Sequence, residues 1–199
     1  MKPLNEDSDK KKIIIEKYNS TSSFYDERYR RIQNEKFDFQ LSNIHFKHIT
    51  ILDAGCGTGL LLEFISNLHD ENFHKDLQYI GLDISWKMLQ EFVKKSKKRN
   101  YCGKISLILG DIENLPFREG VFNLILSFTS LQNLQVLNKG LKELFRVGEK
   151  NTIMKLSILK KQLELEEITD FLHSHTINFK TIILEDLEDV FIEGNLKKD

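Results

Sequence analysis

The chain has 199 residues, 40% of them hydrophobic and 30% charged, with a formal net charge of −1. That length carries one ordinary α/β domain, the composition is that of a soluble globular chain, and the charge gives no global electrostatic case for nucleic acid. Two cysteines, Cys56 and Cys102, with no C-x-x-C pair exclude a zinc ribbon and argue against a disulfide framework, so a reduced, cytoplasmic setting is the expectation.

Residues 1–12 are charged and are expected to be a disordered tail. The apolar run Ile13-Ile14-Ile15 is too short for a signal-peptide core or a membrane span. Residues 13–48 carry two helical patterns, one through Ile14, Tyr18 and 24–33, the other through Phe37, Leu41 and Ile44. They read as a helical cover over a ligand cleft.

The main domain is expected over 49–194. Its first strand is 49–53, a helix follows over 59–69, and the polar stretch 69–76 is a loop. A second strand, 77–83, ends on Asp83, and Ser85 reads as the N-cap of a helix that turns Met88, Leu89, Phe92 and Val93 inward and closes on the basic run 94–99. The third strand is 105–109, entered from Lys104, with a loop over 110–117 beyond it. The fourth, 121–129, is a near-continuous apolar run of the kind parallel sheets bury on both faces. A helix over 137–146 with Gly148 as C-cap, a strand over 151–159, a helix over 163–173 and two strands at 177–184 and 190–193 complete the chain. Strands alternating with helices through short links make a doubly wound, mostly parallel α/β sheet.

Between the first strand and its helix stands Leu52-Asp53-Ala54-Gly55-Cys56-Gly57-Thr58-Gly59. Three glycines at a strand-to-helix turn let backbone approach a ligand, and the free N–H groups of the helix start favour an anionic or strongly polar group. The dinucleotide fingerprint needs its third glycine at position 60, where Leu60 stands. Asp53, just before the turn, suits an amino group, and Asp83, 24 residues after Gly59, offers two oxygens to two adjacent ribose hydroxyls.

This h-D-x-G-x-G-x-G pattern resembles motif I of the class I S-adenosylmethionine-dependent methyltransferases, and the resemblance runs over 49–193. It implies a seven-stranded Rossmann-like sheet of order 3-2-1-4-5-7-6 closed by an antiparallel hairpin, with S-adenosylmethionine as cofactor. It also implies a site: Asp53, Gly55, Cys56, Gly57 and Gly59 in the turn, Asp83 and Ile84 at the ribose, Met88, Asp111 and Ile112 at the adenine, and Ser127 beneath the sulfonium. Tyr18-Asn19 followed by Phe24-Tyr25-Asp26-Glu27-Arg28-Tyr29 resembles the lead-in of the wobble-uridine tRNA methyltransferases, whose relatives work with a small zinc-ribbon activator subunit. By that resemblance Tyr25 and Arg28 cover the cofactor and hold a carboxylate or phosphate.

The expected function is methyl transfer to an acceptor on RNA, tRNA included, or on protein. The activator would add a strand to the apolar, proline-free edge 104–109. One alternative is a small-molecule methyltransferase with a closed pocket under 13–48. Another is a non-catalytic cofactor-binding scaffold, which Asn123 in place of the aspartate usual there, the lack of a convincing general base and the lack of a Pro-Gly-Gly turn before the fifth strand keep open. The segment Ser127-Phe128-Thr129-Ser130 has none of the N-P-P-Y character of enzymes that methylate adenine amines or glutamine. The basic run at 94–99 fits RNA contact or plain complementation of a helix C-terminus. No metal site is expected, since the histidine pairs 45/48 and 173/175 lack a carboxylate or cysteine to complete a ligand set.

Overall fold

The computed structural model describes residues 6–44, 46, 49–68, 77–99, 101, 103–162 and 165–198. The most apolar runs of the chain form the middle of its sheet. β1 (Thr50–Ala54) pairs in parallel with both β2 (Gln78–Asp83) and β4 (Phe122–Phe128), and all three are largely sealed from water. β3 (Lys104–Leu109) lies outside β2, and β5 (Gly148–Leu159) lies beyond β4, both parallel. β7 (Asp189–Leu196) is antiparallel to β5 and to β6 (Thr176–Ile183), giving the expected order β3-β2-β1-β4-β5-β7-β6.

Helices cover both faces because each carries one apolar stripe. Leu141, Leu144 and Val147 of α5 (Leu137–Val147) and Ile168 and Leu172 of α6 (Leu165–His175) pack on one face. On the other, Leu61 and Ile65 of α3 (Leu60–Leu68) and Leu89 and Phe92 of α4 (Trp86–Lys98) pack with Phe37 and Leu41 of α2 (Tyr25–Leu41). Each such side chain contributes about 1.5–3 kcal/mol by leaving water.

One expectation needs correction. The tail expected over 1–12 is helical from Glu6, within α1 (Glu6–Thr21); residues 1–5 lie outside the described residues. Its charges find partners across the domain: Lys10 Nζ donates to the Leu134 carbonyl and Lys11 Nζ to Asp111 Oδ2 at 2.7 Å. Gly148 caps α5 as expected, its N–H donating to the Leu144 carbonyl, and its extended backbone, with φ −72°, opens β5 at once. Its lack of a side chain matters for packing, because a Cβ there would stand 2.3 Å from Leu196 Cδ1. The basic run 94–99 closes α4 as expected, and ion pairs hold three of its side chains: Lys95 Nζ reaches Asp26 at 2.6 Å, Arg99 reaches Glu63 at 2.9 Å and Lys94 reaches Glu91 at 2.7 Å. Arg30 joins the same cluster, which ties α2, α3 and α4 together. The loop expected over 69–76 and the pair His45/His48 fall outside the described residues.

Candidate cofactor site

β1 and β4 carry their C-terminal ends to the point where the strand order reverses, the place where open α/β sheets bind ligands, and β2 ends beside β1. The glycine turn is docked there by backbone bonds: the Gly55 and Cys56 N–H groups both donate to the Leu82 carbonyl, at 2.7 and 3.0 Å. The Gly57 N–H donates to Asp83 Oδ2 at 2.8 Å, and the Ser85 N–H to Oδ1 at 2.8 Å. Ser85 Oγ in turn caps α4 by accepting from the Met88 N–H at 3.2 Å, as the sequence implied. Asn19 supports the same corner, its Oδ1 accepting from Ser85 Oγ and the Lys87 N–H.

The glycines do different work. Gly55 (φ +88°) has no room for a side chain, since a Cβ would meet Ser130 Cβ at 2.4 Å. A Cβ at Gly59 would stand 2.5 Å from the Phe92 ring, so this glycine lets the turn pack against α4. Gly57 (φ +53°) has nothing within 4 Å on its open side. It therefore exposes backbone to a cleft, of about 700 Å³ with open solvent at its mouth included.

Of the expected site residues, Gly55, Gly57, Asp83, Ile84, Met88, Asp111, Ile112 and Tyr25 line this cleft. Asp53 and Cys56 line an adjoining recess of about 330 Å³ that shares Tyr25, Gly55, Gly57 and Phe128 with it. Gly59, Ser127 and Arg28 line neither. Ser127 is fully buried, its Oγ donating to the Ala54 carbonyl at 2.8 Å and lying 2.7 Å from Ser130 Oγ. Arg28 is exposed over the Tyr29 ring, 5.2 Å from its centre. The sequence reading missed Lys11, Gln33, Thr129 and Asn133, which belong to no local motif. Only the Tyr18-Asn19 lead-in signals that α1 reaches the site: the Tyr18 hydroxyl accepts from Asn133 Nδ2 at 2.9 Å.

The cleft floor is fixed from behind. Thr129 takes a left-handed backbone (φ +54°) where β4 ends, a strained conformation for a β-branched residue. Its Oγ1 accepts from Lys36 Nζ at 2.7 Å and donates to Asp189 Oδ2 at 2.8 Å. Lys36 and Asp189 are themselves a buried ion pair at 2.7 Å, joining α2 to β7.

Two carboxylates, the buried Asp53 and the half-buried Asp83, face this region. Burial pushes Asp83 up to about 6, although the N–H groups of Ser85, Gly57 and Ile84 hold it down. Burial pushes Asp53 up to about 7, partly offset by the Tyr79 hydroxyl that donates to it and reinforced by the charge of Asp83. Burial also raises the Cys56 thiol well above its ordinary value, so it sits here as a neutral side chain. Such acids beside an open glycine turn suit a ligand with hydroxyl and amine donors. Among the described residues no group of three or more His, Cys, Asp or Glu side chains is placed to hold a metal, and no helix is long and apolar enough to cross a membrane.

A 3-2-1-4-5-7-6 sheet with a glycine turn after its first strand and an acid ending its second defines the class I S-adenosylmethionine-dependent methyltransferases. The chain belongs to that class: the family model described as "Methyltransferase domain" matches residues 51–151. S-adenosylmethionine is the cofactor of the class. The ubiquinone/menaquinone biosynthesis C-methyltransferase UbiE of Rickettsia prowazekii is 27% identical over 135 residues, 67% of this chain and 52% of that protein. The chain spans about half the length of the first curated relatives it matches. Magnesium protoporphyrin IX methyltransferase from Synechocystis, solved with bound S-adenosylmethionine, superposes with a TM-score of 0.74 at 17% identity, covering 99% of this chain and 100% of that one. A methyltransferase solved in complex with the Haloferax volcanii activator Trm112 gives a TM-score of 0.67 at 14% identity, covering 91% of this chain and 98% of that one. At these identities the two structures share the fold.

Proposed function

We propose that the cleft binds S-adenosylmethionine and transfers its methyl group to a small, weakly polar acceptor held under α1 and α2. The observation that carries this is the way α1 closes the rim. Lys10 reaches the Leu134 carbonyl, Lys11 pairs with Asp111 and Glu113 at 2.7 and 3.1 Å, and Tyr18 meets Asn133. Ile14, Tyr18, Tyr25, Phe128 and Leu134 then wall a mostly apolar space beside the glycine turn.

In this reading Asp83 accepts from the ribose hydroxyls. Asp111 accepts from the adenine amine and the Ile112 N–H reaches a ring nitrogen, while Asp53 faces the amino-acid end of the donor. The bound sulfonium supplies an already electrophilic methyl group. The chain's own residues therefore have to align the acceptor and exclude water, a task the aromatic cover suits. The similarity to a ubiquinone/menaquinone C-methyltransferase and the fold shared with a magnesium protoporphyrin IX methyltransferase support an acceptor of this kind.

The test is partition of label. The purified chain is incubated with tritiated S-adenosylmethionine and host extract separated into small-molecule, RNA and protein fractions. Tritium is expected in the small-molecule fraction; tritium confined to RNA or protein would replace this acceptor.

One observation favours the second reading, a macromolecular acceptor with an activator subunit. The Lys104 N–H donates to the Leu77 carbonyl just before β2 at 2.9 Å and the Gly110 N–H to the Asp83 carbonyl at 3.0 Å, so strand alternation turns those of Ile105, Leu107 and Leu109 to the open edge. The fold shared with the Trm112-bound methyltransferase supports this reading. Leu107 packs against the core, so Leu109, 56% exposed, is the residue to change. Leu109→Pro deletes one edge donor and should abolish co-purification of a small subunit while leaving cofactor affinity intact. Capture of the same subunit by the variant would sink this second reading.

A further inference from the structure

The recess beside the cleft contains a polar atom that the fold leaves unpaired. Gln33, on the inner face of α2, is 6% exposed, and its side chain lines the recess with Asp53 and Thr58. Its Oε1 has no hydrogen-bond partner among the described residues. An unpaired buried acceptor costs about 1–3 kcal/mol, so a retained one calls for a ligand donor. Thr58 does not supply that donor, because its hydroxyl is given to Asp26.

The recess therefore presents two oxygen acceptors, the Asp53 carboxylate and the Gln33 amide, and among the described residues no cationic side chain lines it. The group that satisfies both is a primary ammonium, which carries three N–H donors and one positive charge. Tyr25, Gly55, Gly57 and Phe128 border both spaces, so one molecule can occupy the cleft and extend its ammonium into the recess.

We infer that Gln33 is a donor-binding residue of the N-terminal cover, its Oε1 accepting from the α-ammonium of the methionine end of S-adenosylmethionine together with Asp53. The inference rests on the donor placement proposed above and extends it to α2. Binding the donor then orders the cover from inside, since Gln33 sits on the same helix as Tyr25 and Lys36.

The test compares two ligands by calorimetry. S-adenosylhomocysteine has the amino-acid end, and 5′-methylthioadenosine lacks it. Gln33→Met, close in volume, should weaken S-adenosylhomocysteine about 10- to 100-fold and leave 5′-methylthioadenosine within about twofold. Gln33→Glu, which keeps an acceptor oxygen, should retain the preference for S-adenosylhomocysteine. Equal losses for both ligands with Gln33→Met, or no loss for either, would overturn the inference, and so would a Gln33→Glu protein that binds both ligands equally. A wild-type protein that binds neither ligand overturns the donor placement itself, a result distinct from all of these.

Discussion

The Gly57 N–H donates to the Asp83 carboxylate at 2.8 Å, so the acid that ends β2 also sets the shape of the turn that follows β1. With the Ser85 N–H on its other oxygen, Asp83 couples the glycine turn, the start of α4 and the cleft.

Asp83→Asn keeps the side chain's shape, removes its charge and turns one acceptor into a donor. It should weaken S-adenosylhomocysteine about 10- to 100-fold by calorimetry while circular dichroism stays that of the wild type. Undiminished affinity would remove Asp83 from the ribose.

The two acids fix a pH dependence. Asp83 and Asp53 are raised from 3.8 to about 6 and about 7, so the folded state binds more protons than the unfolded state between pH 4 and 7. Their contribution to stability is present in full below pH 4 and is lost as pH rises through 6 to 7. The melting temperature of the ligand-free protein should carry that falling component, and Asp53→Asn should flatten it. An ammonium ligand favours ionised Asp53, so affinity for S-adenosylhomocysteine should rise over the same interval.

The glycines should separate fold from binding. Gly57→Val enters open space and should abolish S-adenosylhomocysteine binding with a near-normal fold, at a cost of about 1–2 kcal/mol for its left-handed backbone. Gly55→Ala puts a Cβ against Ser130 and should lower the melting temperature far more. Equal melting temperatures for the two variants would contradict this division.

Lys36 and Asp189, both almost without solvent exposure, hold each other and Thr129. Lys36→Met leaves a buried carboxylate without its cation and should cost about 3–5 kcal/mol by chemical denaturation. The double change Lys36→Met with Asp189→Leu should recover part of that loss.

The sequence alone determined the strands, the glycine turn, Asp83 and the cap at Ser85, because each is written in a few neighbouring residues, while the sheet order followed from the family resemblance those residues carry. Apolar runs fix strands, and a strand-to-helix turn without side chains needs glycine at set spacings. The 94–99 run was ambiguous for the opposite reason. A lysine reads alike whether it is solvated or paired, and only packing brings Asp26 and Glu63 to it. The cover was decided by tertiary structure. Lys11 meets Asp111 across 100 residues, Tyr18 meets Asn133 across 115, and Gln33 meets the recess only because α2 is packed against α3. A charged N-terminal stretch has no local reason to be helical at its start; it becomes so where carboxylates and carbonyls at the far side of the cleft accept its lysines.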